Sequence, residues 1–66
     1  MPIIHVIANT MSLETKRELT RELTEAAARI LDMAPEKIVV ILDSKSPEDI
    51  GVAGTLLVDR KPPAAS

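Results

Sequence analysis

Two β-branched segments separated by one long helical stretch constrain this chain more than any other feature of it. Residues 3–8, Ile-Ile-His-Val-Ile-Ala, and residues 37–43, Lys-Ile-Val-Val-Ile-Leu-Asp, read as strands. From Leu13 to about Asp32 the residues between them are mostly good helix formers. A crossover of that length joins parallel strands, and the connection is right-handed. The first strand is apolar both ways, with Ile4 and Val6 on one face and Ile3 and Ile7 on the other. Such a strand is covered on both sides. One helix shields one face of a two-stranded sheet, so the other face must meet another chain.

The helix is bounded and patterned. Ser12 offers an N-cap. Leu19, Leu23, Ala26, Ala27, Ile30 and Leu31 recur at helical spacing as one apolar stripe. Arg17, Glu18, Arg21, Glu22, Glu25 and Arg29 lie mainly outside it, and Glu25 precedes Arg29 by a favourable four residues. Met33-Ala34-Pro35-Glu36 ends the helix. Residues 44–49, Ser-Lys-Ser-Pro-Glu-Asp, read as a polar loop. Two glycines among apolar residues, Gly51 and Gly54 within residues 50–58, point to a tight hairpin with close backbone approach. The expected product is one α+β domain over residues 1–61, with 62–66, Pro-Pro-Ala-Ala-Ser, as a flexible tail.

Size sharpens the need for a partner. A chain of 66 residues usually needs disulfides, a metal or other subunits to be stable. There is no cysteine, and His5 is the one histidine, which excludes disulfides, thiolate sites and a histidine-rich metal site. The composition is 45% hydrophobic, too rich for a disordered segment, so assembly with further copies is left. No residue is aromatic and the net charge is −2, which argues against a nucleic-acid surface. No apolar run approaches membrane-spanning length, and the start lacks a basic signal-type region. The expectation is a soluble cytoplasmic protein.

The candidate for chemistry is Pro2. A small residue after the initiator permits removal of Met1, and Pro2 then carries a secondary amine on a rigid ring. Ordinary α-amino groups titrate near pH ~8, and burial among apolar groups lowers that further by disfavouring the charged form. Such an amine at the mouth of an apolar pocket shuttles protons near neutrality. The plainer alternative is a proline that merely begins a strand, where its missing N–H costs nothing.

The chain as a whole resembles the 4-oxalocrotonate tautomerase family. The matching features are Pro2 with Ile3-Ile4-His5-Val6, and Ser12-Leu13-Glu14-Thr15-Lys16 opening the helix. Leu31-Asp32 and Pro35 precede the second strand, and Ile50-Gly51-Val52-Ala53-Gly54 lie in the C-terminal hairpin. The resemblance runs from Pro2 to about Arg60. It implies a β-α-β fold with a C-terminal hairpin, pairing of two subunits into a four-stranded sheet, and a homohexamer built as a trimer of dimers. It also implies that Pro2 is the general base and acid of a keto–enol isomerisation of a 2-hydroxydienoate or α-keto acid, without cofactor or metal.

The departures from the family pattern bear on substrate. Members that act on dicarboxylates carry an arginine just before the helix and another in the second strand. These positions fall at or near Met11, where the segment is one residue shorter, and at Val39. Losing an arginine that pairs with a carboxylate removes a strong directional bond. Lys16, Arg17, Lys45, Arg60 and Lys61 are unranked replacements; a less charged substrate, or little activity, are the other readings. The pocket aromatic of the family falls at Ile50. Asn9, with Thr10, ends the first strand, where it either hydrogen-bonds a substrate oxygen or shapes the turn. Pro2 is thus the catalytic candidate, with Ile50, Val39 and Asn9 as candidate substrate contacts. By strand parity His5 faces away from Pro2 and reads as a structural, partly exposed histidine. Glu48-Asp49 reads as solvated loop, and Met11 and Met33 as packing filler. Two other readings stay open: a Pro2-dependent hydratase or decarboxylase, and a non-enzymatic oligomer with this fold.

Overall fold

A computed structural model describes residues 1–60. The expected tail at 62–66, and Lys61, lie outside the described residues. The elements are β1 (Ile3–Asn9), α1 (Leu13–Leu31), β2 (Val39–Lys45), β3 (Gly51–Val52) and β4 (Thr55–Leu56). Single 3-10 turns cover Pro35–Lys37, Pro47–Asp49 and Leu57–Asp59. β1 and β2 are parallel, in register from Ile3 opposite Val39 to Asn9 opposite Lys45.

The ends of α1 are set by side chains and by one left-handed residue. Ser12 is extended, and its Oγ accepts from the Thr15 N–H at 3.1 Å while its hydroxyl donates to Thr15 Oγ1 at 2.9 Å. This satisfies one of the orphan donors of the first turn. Asp32 takes φ 54°, ψ 56°, and Ala28 O accepts from the N–H groups of Asp32 and Met33, which stops the helix. A short polar residue tolerates that conformation. On the helix surface Arg21 pairs with Glu22 at 3.3 Å and Glu25 at 3.8 Å, so Glu25 turns back one turn rather than forward to Arg29.

β2 begins two residues later than its apolar run suggests and ends two residues further on. Pro35 opens a turn in which Ala34 O accepts from Lys37 N–H and Pro35 O from Ile38 N–H, both at 3.0 Å. The turn uses up Lys37 and leaves Ile38 as its closing residue. At the other end Ser44 and Lys45 stay on the ladder because Ala8 and Asn9 are opposite them. The expected polar loop is then a capped turn: Ser46 Oγ accepts from Glu48 N–H at 3.3 Å, ahead of Pro47 at the first turn position.

Burial alternates along β1. Ile4, Val6 and Ala8 are half-buried under α1, whereas Ile3, His5, Ile7 and Asn9 are exposed. Leu19, Leu23, Ala26 and Ala27 supply the helix side of that layer, and α1 packs on β2. Ile30 and Leu31, in the same stripe by sequence, remain 71% and 52% exposed, since a sheet two strands wide does not extend beneath them. Among the described residues the one buried hydrophobic side chain is Ile38, 9% exposed. The open sheet face presents Ile3, Ile7 and Ile41 at 58%, 65% and 45% exposure.

β3 and β4 form a separate two-stranded antiparallel hairpin closed by Leu57 N–H to Ile50 O at 2.8 Å. Its two-residue loop, Ala53-Gly54, has φ 54° and 84°. Positive φ at both positions matches the twist that hairpins prefer. Gly51, by contrast, has ordinary room for a side chain, with Thr55 O 3.9 Å from where a Cβ would sit, so close approach does not explain it.

Candidate active site

Pro2 leads directly into β1, half-buried, with its carbonyl accepting from Val39 N–H at 3.0 Å. The bond places Pro2 beside the start of β2, where Ile38 is the best-covered side chain of the chain's described part. Pro2 and Val39 are therefore brought together, and their surroundings are apolar. With Met1 in place the Pro2 nitrogen is an amide; Met1 itself is 87% exposed.

Asn9 and Ile50 are not brought to Pro2 within one chain. Asn9 closes β1 opposite Lys45, and it is seven strand steps from Pro2, about 23 Å. Ile50 follows the turn Pro47–Asp49 and opens the hairpin, beyond the same far end of β2. Lys16 and Arg17 stand in the first turns of α1, which begins after β1 has ended, so they too lie at the Asn9 end. Lys45 is there as well, 3.4 Å from Asp43 Oδ1. Among the candidate replacements for arginine, these three are the wrong way along the strands from the Pro2 of their own chain.

One cation that the sequence did not single out is at the right end. Lys37 closes the turn immediately before Ile38 and Val39, and it is exposed. The signal that finds it is strand register: in a parallel pair, the residues just before the second strand lie beside those just before the first.

His5 points to the open face, with Nε2 3.7 Å from Asp43 Oδ2 and both side chains well exposed. That separation is too long for a hydrogen bond, and such pairs contribute little to stability. Among the described residues no three His, Cys, Asp or Glu side chains gather where a metal ion would be held, and no helix is long and apolar enough to cross a membrane. A trough of about 670 Å³ runs along α1, lined by Leu13, Lys16, Thr20, Arg21, Thr24 and Pro35 among others. Lys16, Arg17 and Arg21 all line it, Arg21 being paired with Glu22 and Glu25, and Pro2 is not part of it.

Comparison with known proteins agrees with this geometry. A family model described as tautomerase enzyme matches residues 2–60. A probable tautomerase of Halalkalibacterium halodurans is 39% identical over 61 residues, which is 91% of this chain and all of the relative. The crystal structure of a 4-oxalocrotonate tautomerase homologue is 33% identical with a TM-score of 0.85, over 94% of this chain and all of that one. A heterohexamer 4-oxalocrotonate tautomerase from Chloroflexus aurantiacus J-10-fl is 26% identical with a TM-score of 0.81, over 92% of this chain and all of that one. The two-stranded parallel sheet, its single crossover helix and the terminal hairpin are the fold these proteins share. The chain belongs to the tautomerase family, within its 4-oxalocrotonate tautomerase group, and its activity is of the isomerase type.

Proposed function

We propose that this chain, once Met1 is removed, is a cofactor-independent keto–enol tautomerase in which the Pro2 amine moves the proton. The neutral amine takes the proton from the enol oxygen. The electron pair of that O–H bond forms the carbonyl, and the enol double bond delivers its electrons to carbon. The resulting prolinium then gives a proton to that carbon, which regenerates the amine. The observation that carries this reading is the position of Pro2, half-buried beside Ile38 and Val39 at the head of β1. Apolar surroundings favour the uncharged amine, which is the form that acts as base.

The rest of the site is part of the same proposal. Val39 supplies an apolar wall at Pro2 in its own chain. Ile50 and Asn9, at the opposite end of the sheet, reach a Pro2 only from a neighbouring copy. The reading therefore includes a homo-oligomer, with parallel strands paired across subunits into a four-stranded sheet and three such dimers in a hexamer. The exposed Ile3, Ile7 and Ile41, and the hexameric relative, support it. It takes residues 1–61 as the single domain, 62–66 as a tail, the cytoplasm as its location and a small enol or keto acid as substrate.

The test is an assay on processed protein, with the loss of Met1 verified by intact mass. Phenylenolpyruvate and 2-hydroxymuconate are the substrates, and Pro2→Ala is compared with wild type. Pro2→Ala is expected to lose catalysis on both; equal rates for the two proteins would end this reading. A second reading, a non-enzymatic oligomer, is favoured by Val39 and Met11 standing where dicarboxylate-using relatives are expected to have arginine. Processed wild type that turns over neither substrate would support it.

A further inference from the structure

The register that pairs Ile3 with Val39 also fixes what lies beside the amino end. One step back along both strands, Pro2 is level with Ile38; a further step sets Met1 level with Lys37. The Pro2 nitrogen lies between those two levels. Parallel neighbours run about 4.8 Å apart, and an extended lysine carries its ammonium on the order of 6 Å from its Cα. A group bonded or stacked at the Pro2 nitrogen is therefore within reach of Lys37.

The turn Pro35–Lys37 makes that placement firm rather than incidental. Lys37 N–H is bonded to Ala34 O and Ile38 N–H to Pro35 O, and Val39 N–H then anchors to Pro2 O. The backbone of Lys37 is thus held within the turn, and two residues further on Val39 ties the chain to the residue that carries the amine. Its side chain is exposed, and among the described residues no carboxylate lies within ion-pair distance of it. Glu36 is the nearest acid in sequence, on the same turn and exposed. Arg29, the other cation at this end, is exposed in the last turn of α1 and is not part of the strand register that sets Lys37 beside Pro2.

Resting on the proposed role of Pro2, we infer that Lys37 is the cation that binds the substrate's carboxylate, so that the substrate is an enol carrying one carboxylate beside the reacting carbons. An ammonium is a compact point charge without the bidentate fork of a guanidinium. It selects for charge near the amine rather than for a fixed carboxylate orientation. Within its own chain Lys37 is the one cation that the strand register sets beside the amine, which fits one carboxylate next to the reacting carbons; a second anion in the same chain's part of the pocket would face Ile38 and Val39.

Two enols that differ in the carboxylate test this: phenylenolpyruvate and the enol of phenylacetaldehyde. Wild type, Lys37→Gln, Lys37→Arg, Arg29→Gln and Pro2→Ala are compared, each processed and checked for wild-type assembled mass. Lys37→Gln is expected to lower kcat/KM for phenylenolpyruvate by about tenfold to a hundredfold, chiefly through KM, as loss of a charge-assisted bond does. The preference for the anionic over the neutral enol falls by the same factor. Lys37→Arg restores most of it, and Arg29→Gln leaves it alone. An anionic preference unchanged in Lys37→Gln overturns the inference, even if both rates drop together. If Lys37→Gln fails to assemble, Lys37→Met carries the same comparison. Inactive Pro2→Ala with an unchanged preference in Lys37→Gln rejects Lys37 alone; fully active Pro2→Ala rejects the proline mechanism beneath it.

Discussion

The carbonyl oxygen of Pro2 accepts a hydrogen bond from the backbone N–H of Val39 at 3.0 Å. This is the first bond of the β1–β2 ladder, and it fixes the proposed catalytic residue to the residue that starts the second strand. The side chain of Val39 departs from the pattern of arginine-bearing relatives, but its backbone retains a positioning duty that any residue except proline performs.

Val39→Pro therefore separates the backbone role from the side chain's. It removes the N–H, and within a paired strand that costs roughly 1–3 kcal/mol. Tautomerase kcat/KM is expected to fall tenfold or more because the amine is no longer held in place. Val39→Ala keeps the N–H and is expected to lose several-fold less. Urea unfolding and steady-state rates on both variants check this; equal losses would show that the hydrogen bond does not position Pro2.

Ser12→Ala tests the helix start. Its Oγ accepts from Thr15 N–H, and α1 provides most of the cover for one sheet face. Loss of an N-cap costs about 1 kcal/mol, so the unfolding midpoint should fall by several degrees, with Ser12→Asp close to wild type. An unchanged midpoint for Ser12→Ala would mean that the cap contributes nothing in the assembled protein.

Much of this architecture was legible in the chain because each local signal agreed with the next. Ser12 marked the helix start correctly, and the β-branched runs marked both strands. The boundaries of β2 were missed because an apolar run cannot show that Pro35 folds Lys37 into a turn. The extra length at Ser44 and Lys45 comes from their partners on β1, not from their own strand propensity. Pro2 is legible as a candidate because the chemistry proposed for it is local. Lys37 is not, since the role inferred for it arises only from a register that pairs residues 36 positions apart. Asn9 and Ile50 join the proposed site only through a neighbouring copy, because no path within one subunit brings them to Pro2.

The hairpin loop carries an avoidable strain at Ala53, whose φ of 54° is the left-handed region that a Cβ disfavours. Ala53→Gly should stabilise the protein by up to about 1 kcal/mol, read as a higher thermal midpoint, because glycine adopts that conformation without the steric penalty. Gly54→Ala should destabilise by a similar amount. No atom lies within 4 Å of the added Cβ at Gly54, so any loss there is backbone strain and not a clash. A Gly54→Ala protein as stable as wild type would show that the loop is free to take another turn type.

The open sheet face gives the most direct test of assembly. Ile3, Ile7 and Ile41 stand exposed on it in the single chain, whereas the one side chain of the described part that is well buried is Ile38. Each isoleucine gains on the order of 1.5–3 kcal/mol on full burial, which makes covering this face a large part of the stability of so small a domain. A cation at Ile7 is a poor probe, because Asp43 is its partner in register and would pair with it. Ile7→Glu instead sets a second carboxylate opposite Asp43, whose nearby Lys45 is already paired with it at 3.4 Å, and so puts an excess negative charge on the face that has to be buried. Sedimentation velocity is expected to show Ile7→Glu as a smaller species than wild type, or as unfolded chain, while Glu14→Lys on the solvent side of α1 keeps the wild-type mass. If Ile7→Glu retains the full assembled mass, this face is not where the subunits meet.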